Sequence, residues 1–182
     1  TNNGLIKKTE IDKFSNVRDK WIKKNKYFYK SDYAYMRFLI NEGMRVLELG
    51  CGSGQLLNAL KPSYGVGVDL SSNMVDVAKS HHPHLNFFQG DLEDADLIAS
   101  LEGPFDYIVL SDTLGFLDDC EGAFSGLHLL CTPDTRLVIS YYSWFWQPIL
   151  TLGEKVGLKM PLVEMNWLST EDTMGFLHLA ED

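Results

Sequence analysis

The sequence predicts one α/β domain built on a doubly wound, mostly parallel sheet with helices on both faces. Three observations predict it. From residue 44 onward, apolar runs of strand length alternate with runs of helical pattern. Most of the strand runs are continuously apolar, which suits strands covered on both faces. Glycines and single carboxylates stand at the ends of these runs, where an open sheet of this kind receives ligands.

The elements follow in order. Residues 1–30 are polar and basic, and Ile11, Phe14, Val17, Trp21 and Ile22 are spaced for one amphipathic helix. Ser31 is placed to cap a second helix, with Tyr33, Met36, Arg37 and Ile40 on successive turns and Gly43 as its stop. Residues 44–50 read as the first strand. A helix from Gly54 to Leu60 is stopped by Pro62. Residues 64–70 are the second strand, and Ser71 to Ser80 a helix. Residues 85–91 are the third strand, with a short helix after it. Residues 105–112 are the fourth strand, Cys120 to Cys131 a helix, and 135–143 the fifth strand. Ser169 is placed to cap a last helix through Ala180, with Met174, Phe176, Leu177 and Leu179 as its apolar content. Right-handed crossovers then wind the sheet in both directions. The division is an N-terminal helical segment, 1–43, and a ligand-binding α/β domain, 44–182. The first residue is Thr1, so the chain reads as processed or trimmed.

Charge and cysteine usage narrow the function. The net charge is −9, unevenly placed: residues 1–30 carry +6 and the remainder −15. An acidic body repels a phosphate backbone, which argues against a nucleic-acid partner. The basic head reads as a solvated helix face. Cys51, Cys120 and Cys131 make an odd count with no CxxC pair, which points to a reduced, cytoplasmic compartment. No run approaches the ~18 apolar residues of a membrane span, and no apolar leader opens the chain.

The chemistry-bearing residues lie at the strand ends. Glu48-Leu49-Gly50-Cys51-Gly52-Ser53-Gly54 follows the first strand. Its glycines permit positive φ and close backbone approach to a ligand. Free N–H groups at the start of the next helix suit a carboxylate or a phosphate. A dinucleotide fingerprint needs G-x-G-x-x-G. The spacing here is G-x-G-x-G, and a start at Gly52 meets Leu57 where Gly or Ala is needed. That disfavours a nucleotide-dependent oxidoreductase. Asp69 ends the second strand, where a carboxylate accepts two hydrogen bonds from ribose hydroxyls. Gly90-Asp91-Leu92 ends the third. Asp91 is placed either to accept from an adenine amino group or to serve as a turn residue. Ser111-Asp112 ends the fourth, where a backbone carbonyl or Asp112 could meet an ammonium group.

The runs VLELGCGSG, GVDLSSNMVDVAK, FFQGDLED and FDYIVLSDTLGFLDD together resemble the Rossmann-like class I S-adenosylmethionine-dependent methyltransferases, over residues 44 to 143. The resemblance implies S-adenosyl-L-methionine as cofactor. It assigns the methionine part to Glu48, Gly50, Cys51, Gly52 and Gly54, and the ribose to Asp69, with Leu70 beside the adenine. Asp91 and Leu92 contact the adenine, and Ser111 offers its carbonyl to the amine. TRLVISYYSWFWQPIL and NWLSTED also resemble methyltransferase domains joined to sugar-transferring enzymes. The implied activity is methyl transfer to an oxygen or nitrogen of a small or medium acceptor. The alternative is a non-catalytic adenosyl-ligand-binding or scaffold module of a larger sugar-transferring protein.

Two departures from the family pattern matter. The family sheet ends in a sixth and a seventh strand, which this sequence is expected to lack, the domain over 44–182 reading as truncated at its C-terminus or completed elsewhere. That implies an exposed fifth-strand edge and self-association through it. No Asn-Pro-Pro-Tyr run follows the fourth strand, which disfavours amine-directed methylation of nucleic-acid bases. Weaker signals remain. Tyr141, Tyr142, Trp144, Phe145 and Trp146 are either core or the wall of an acceptor pocket. Tyr27, Phe28 and Tyr29 either pack on the sheet or cover the cofactor. Cys51 reads as a packing residue. His81, His82 and His84 do not share one face, so no metal is expected, and they are expected at the sheet end opposite the cofactor.

Overall fold

The computed structural model describes residues 24–141, 145, 147–155, 157 and 168–180. The expected helix over residues 11–22, and Tyr142, Trp144 and Trp146, lie outside the described residues. Five parallel strands form the sheet: β1 (Arg45–Leu49), β2 (Tyr64–Asp69), β3 (Asn86–Gln89), β4 (Tyr107–Ser111) and β5 (Arg136–Ser140), in the order β3-β2-β1-β4-β5. The helices are α1 (Lys26–Leu39), α2 (Gln55–Leu60), α3 (Ser72–His81), α4 (Ala95–Ala99), α5 (Cys120–Leu127), α6 (Gln147–Lys155) and α7 (Thr170–Ala180). β2 and β3 lie on one side of β1, and β4 and β5 on the other. The order therefore reverses between β1 and β4, and a crevice opens beyond their C-terminal ends.

Alternation along the strands builds two cores. Val46 and Val109 face one side with Met36 and Ile40 of the α1 region, Leu57 and Leu60 of α2, and Val75 and Ala78 of α3. Leu47, Leu49, Ile108 and Leu110 face the other with Ile98 of α4 and Phe124 and Leu127 of α5. Burying such side chains contributes about 1.5–3 kcal/mol each before chain entropy is subtracted. α7 closes on this second core through Phe176 and Leu177, and His128 donates Nε2–H to Ala180 O at 2.8 Å.

Local rules account for most boundaries. Ser71 caps α3, its hydroxyl accepting from Met74 N. Ser169 and Asp172 form a reciprocal capping box at the start of α7: Asp172 N donates to Ser169 Oγ, and Ser169 N to Asp172 Oδ2. The Ser169 N–H and the Ser169 hydroxyl both donate to that carboxylate and hold it below its ordinary pKa. Ser31 is a correction. It lies inside α1, because one face carrying Tyr29, Tyr33 and Met36 runs unbroken from Lys26, and no capping side chain is needed there. The helix expected from Cys120 to Cys131 also divides. It is α-helical to Leu127 and tightens to a 3-10 turn over His128–Leu130.

Arg45 ties the lower edge of the sheet together. Its guanidinium donates to Pro104 O at 2.8 Å and Glu102 O at 2.7 Å, and lies 4.3 Å from the centre of the Tyr64 ring. Arg45→Ala is expected to lower stability by about 1–3 kcal/mol, read from urea denaturation, since two charged hydrogen bonds and a cation–π contact go together.

Candidate functional site

The turn after β1 is held from two directions. Gly50 N and Cys51 N both donate to Val68 O, at 2.8 and 3.0 Å, so the turn lies over the end of β2. Gly52 N donates to Asp69 Oδ2 at 2.7 Å. The other carboxylate oxygen of Asp69 accepts from Ser71 N at 2.9 Å. Asp69 is thus buried and couples the glycine turn to the cap of α3. Glu48 projects on the α2 side of the sheet, and its Oε2 accepts from Leu57 N at 2.9 Å. One of the N–H groups that the first turn of a helix leaves unpaired is therefore met by a side chain of β1.

Gly50, Gly52 and Gly54 all have positive φ, of 76°, 53° and 72°. Gly50 has no room either: a Cβ there would stand 2.1 Å from Thr113 Oγ1. The Thr113 hydroxyl lies 3.0 Å from both Leu49 O and Ser111 O, so it bridges the ends of β1 and β4 across the crevice. Cys51 is buried, and a Cβ on Gly67 would meet its Sγ at 2.8 Å, so Cys51 packs on β2.

The crevice is a shallow cleft open to solvent, lined by Glu48, Gly50, Cys51, Ser53, Ser111 and Asp112 from the sheet side and by Tyr29, Asp32 and Tyr33 of α1. Of the aromatics expected to cover the cofactor, Tyr27 is 86% exposed and Phe28 48% exposed, and only Tyr29 lines the cleft. Asp32 is a lining residue that the sequence reading missed. Its signal was present, since it lies three residues after Tyr29 and four before Met36 on the inward face of α1. Burial raises its carboxyl above the ordinary value.

The structure brings Glu48, Gly50, Cys51 and Ser111 together around the cleft, with Gly52 tied to Asp69 beside them. Gly52, Gly54, Asp69, Leu70, Asp91 and Leu92 are not among the lining residues. Leu70 O accepts from Gln89 Nε2, and Asp91 Oδ1 accepts from Glu93 N, which is a turn role. The Leu92 side chain is buried in the core with Ile98 and Leu110.

The histidines differ from expectation in one respect. The ring of His82 reaches the glycine turn: its Cδ2 lies 3.3 Å from where a Cβ on Gly54 would stand. Its Nε2 is buried and has no hydrogen-bond partner among the described residues, and its pKa is lowered by burial and then by His81 and His84. The folded chain therefore resists a proton that the unfolded chain accepts below the ordinary histidine pKa of about 6.5. Stability is expected to fall as pH drops through that value. His82→Leu should flatten the difference between urea midpoints at pH 7.5 and 5.5. Among the described residues, no group of three His, Cys, Asp or Glu side chains could hold a metal ion.

A family model for the methyltransferase domain matches residues 21–177. The chain belongs to the methyltransferase-domain family. Over 93 residues it is 38% identical to juvenile hormone acid O-methyltransferase of Bombyx mori, covering 47% of this chain and 33% of that protein. Over 146 residues it is 27% identical to the ubiquinone biosynthesis O-methyltransferase of Coxiella burnetii, covering 74% of this chain and 62% of that one. The chain thus spans less than two thirds of the length of these relatives. Among solved structures, a possible histamine N-methyltransferase of Thermotoga maritima matches 96% of this chain and 80% of its own, at TM-score 0.75 and 22% identity. Magnesium protoporphyrin IX methyltransferase of Synechocystis matches 83% and 70%, at TM-score 0.60 and 24% identity. These likenesses establish the methyltransferase fold: a parallel five-stranded sheet with flanking helices.

Proposed function

We propose that this methyltransferase domain binds S-adenosyl-L-methionine across the ends of β1, β2 and β4 and transfers its methyl group to an oxygen of a small acceptor. The observation that carries the reading is the Asp69–Gly52 bond, which joins the turn after β1 to the end of β2 beside the switch point of the sheet. It sets the carboxylate expected at a ribose beside the turn expected at an amino acid.

The residues fit that ligand. An ionised carboxylate offers about four acceptor positions. Asp69 uses two on Gly52 N and Ser71 N, which leaves two acceptor positions for ribose hydroxyls. Ser111 O accepts from Thr113 on one side and keeps a lone pair for an ammonium donor. Gly50 to Gly54 would hold the methionine part. Leu70, with Asp91 and the backbone of Leu92, would hold the adenine.

The cofactor, when bound, supplies an electrophilic methyl carbon on a sulfonium. The chain's own task is alignment: the nucleophile, the carbon and the sulfur must stand in line at short range, which makes an encounter effectively intramolecular. The oxygen assignment draws support from the printed activities of the curated relatives. A small acceptor fits an acidic body that would repel nucleic acid. A cytoplasmic setting is part of the proposal and is supported by the free cysteines. No helix among the described residues is long and apolar enough to cross a membrane. Self-association through β5, at one edge of the described sheet, is also proposed. A strictly monomeric species in light scattering would count against that part.

Calorimetry on the full chain tests the central claim. Micromolar binding of S-adenosylmethionine and S-adenosylhomocysteine is expected, with no binding of NAD. Binding of NAD alone would overturn the reading. Methylation of a panel of carboxylic acids and phenols is expected to follow. Donor binding without turnover on any of them would favour a binding module.

A further inference from the structure

We propose that Asp32 of α1 recognises the α-ammonium of the donor's amino-acid end, so that the N-terminal helix contributes a specificity-determining residue to the cofactor site. The inference rests on the donor reading above and extends it to a residue outside the α/β domain proper.

Position comes first. Asp32 lines the same cleft as Gly50, Ser53 and Ser111, which are the groups expected around the amino-acid end. Tyr29 and Tyr33 line the same cleft from α1, so the carboxylate shares its side of the cleft with two rings. Charge comes second. Three carboxylates line this cleft, Asp32, Glu48 and Asp112, and none of the described lining residues is a lysine, arginine or histidine. Glu48 is already engaged by Leu57 N. Asp112 stands at the exposed mouth. Asp32 is half-buried, and no hydrogen bond or ion pair engages it among the described residues.

Burying a carboxylate without compensation is costly, and its raised pKa records that cost. A cationic ligand removes the penalty. The donor carries an ammonium with three hydrogens, and the Ser111 carbonyl can take only one of them. A carboxylate on the facing helix supplies a second acceptor and the opposite charge. The anionic end of the same ligand is left to the glycine turn, away from Asp32. A general-base role for Asp32 would need the reacting acceptor in this part of the cleft. The lining instead places Asp32 with the groups assigned to the amino acid.

The test is calorimetry on the full chain with two probes, S-adenosylhomocysteine and its analogue lacking the α-amino group. For wild type, loss of the amino group is expected to weaken binding about tenfold or more, as for loss of a charged hydrogen bond. Asp32→Asn is expected to weaken S-adenosylhomocysteine by a similar factor and the deaminated analogue by less than about twofold, closing a thermodynamic cycle. Asp32→Ser serves as a second variant if the amide disturbs α1, and thermal melts accompany both. Equal weakening of both ligands would assign Asp32 to structure and overturn the inference. So would unchanged binding of both ligands with an altered pH profile of turnover, the signature of a general base. Wild-type protein that binds neither probe would overturn the donor reading, and the inference with it.

Discussion

Asp69→Asn is expected to reduce affinity for the methyl donor by about 100-fold or more and to cost about 2–4 kcal/mol of stability. The carboxylate is buried, and each oxygen accepts a backbone N–H, from Gly52 and from Ser71. An amide keeps only one acceptor oxygen. Its NH₂ must then face one of those two donors, which leaves a buried N–H opposite another N–H. The substitution is isosteric, yet it loses one bond outright and removes the charge from the other. Binding suffers separately, because two ribose hydroxyls lose an ionised acceptor. Urea denaturation reads the first effect and calorimetry with S-adenosylhomocysteine the second. An unchanged denaturation midpoint would show that the Asp69–Gly52 bond does not form in solution.

The second large effect is expected at Gly50. Gly50→Ala should cost about 2–4 kcal/mol and abolish measurable donor binding, for two reasons that add. The residue sits at φ 76°, where a side chain costs about 1–2 kcal/mol. A Cβ would also stand 2.1 Å from Thr113 Oγ1 and 2.7 Å from Thr113 Cγ2, and overpacking of this kind costs about 1–3 kcal/mol. Thr113→Ala removes both of those atoms. The double variant should therefore be less damaged than the two single losses combined, by about 1 kcal/mol in urea denaturation. Simple additivity would place the whole effect in the backbone and none in the contact with Thr113.

Strand and helix order could be read from the sequence because the apolar runs are short, continuous and separated by turn residues. Ser71 and Ser169 were readable as caps because each precedes an apolar-periodic run, and both do cap. Ser31 has the same residue type but lies within an unbroken helical face, and the periodicity of that face outweighs the cap preference. The site was half legible. Gly50, Gly52, Gly54 and Asp69 announce themselves by spacing. What that spacing does not show is that Asp69 is already bonded to the turn it faces, or that Glu48 bonds inward to α2. Thr113 left no trace, because a lone threonine after a strand becomes a clamp only once β1 and β4 are neighbours. Asp32 required knowing that α1 packs over the C-terminal end of β1 and not elsewhere on the sheet. His82 reaches Gly54 for a similar reason, since β3 carries Phe87 and the preceding loop under the same turn.

Because Gly52 and Leu57 are tethered to Asp69 and Glu48 by the chain itself, the binding loop acquires its shape during folding. Little configurational entropy is left to be surrendered when a guest arrives. Amide exchange at Gly52 and Leu57 should therefore be slow even in the ligand-free protein. Selection acting on this loop cannot tune grip and durability independently, since the same two carboxylates set both.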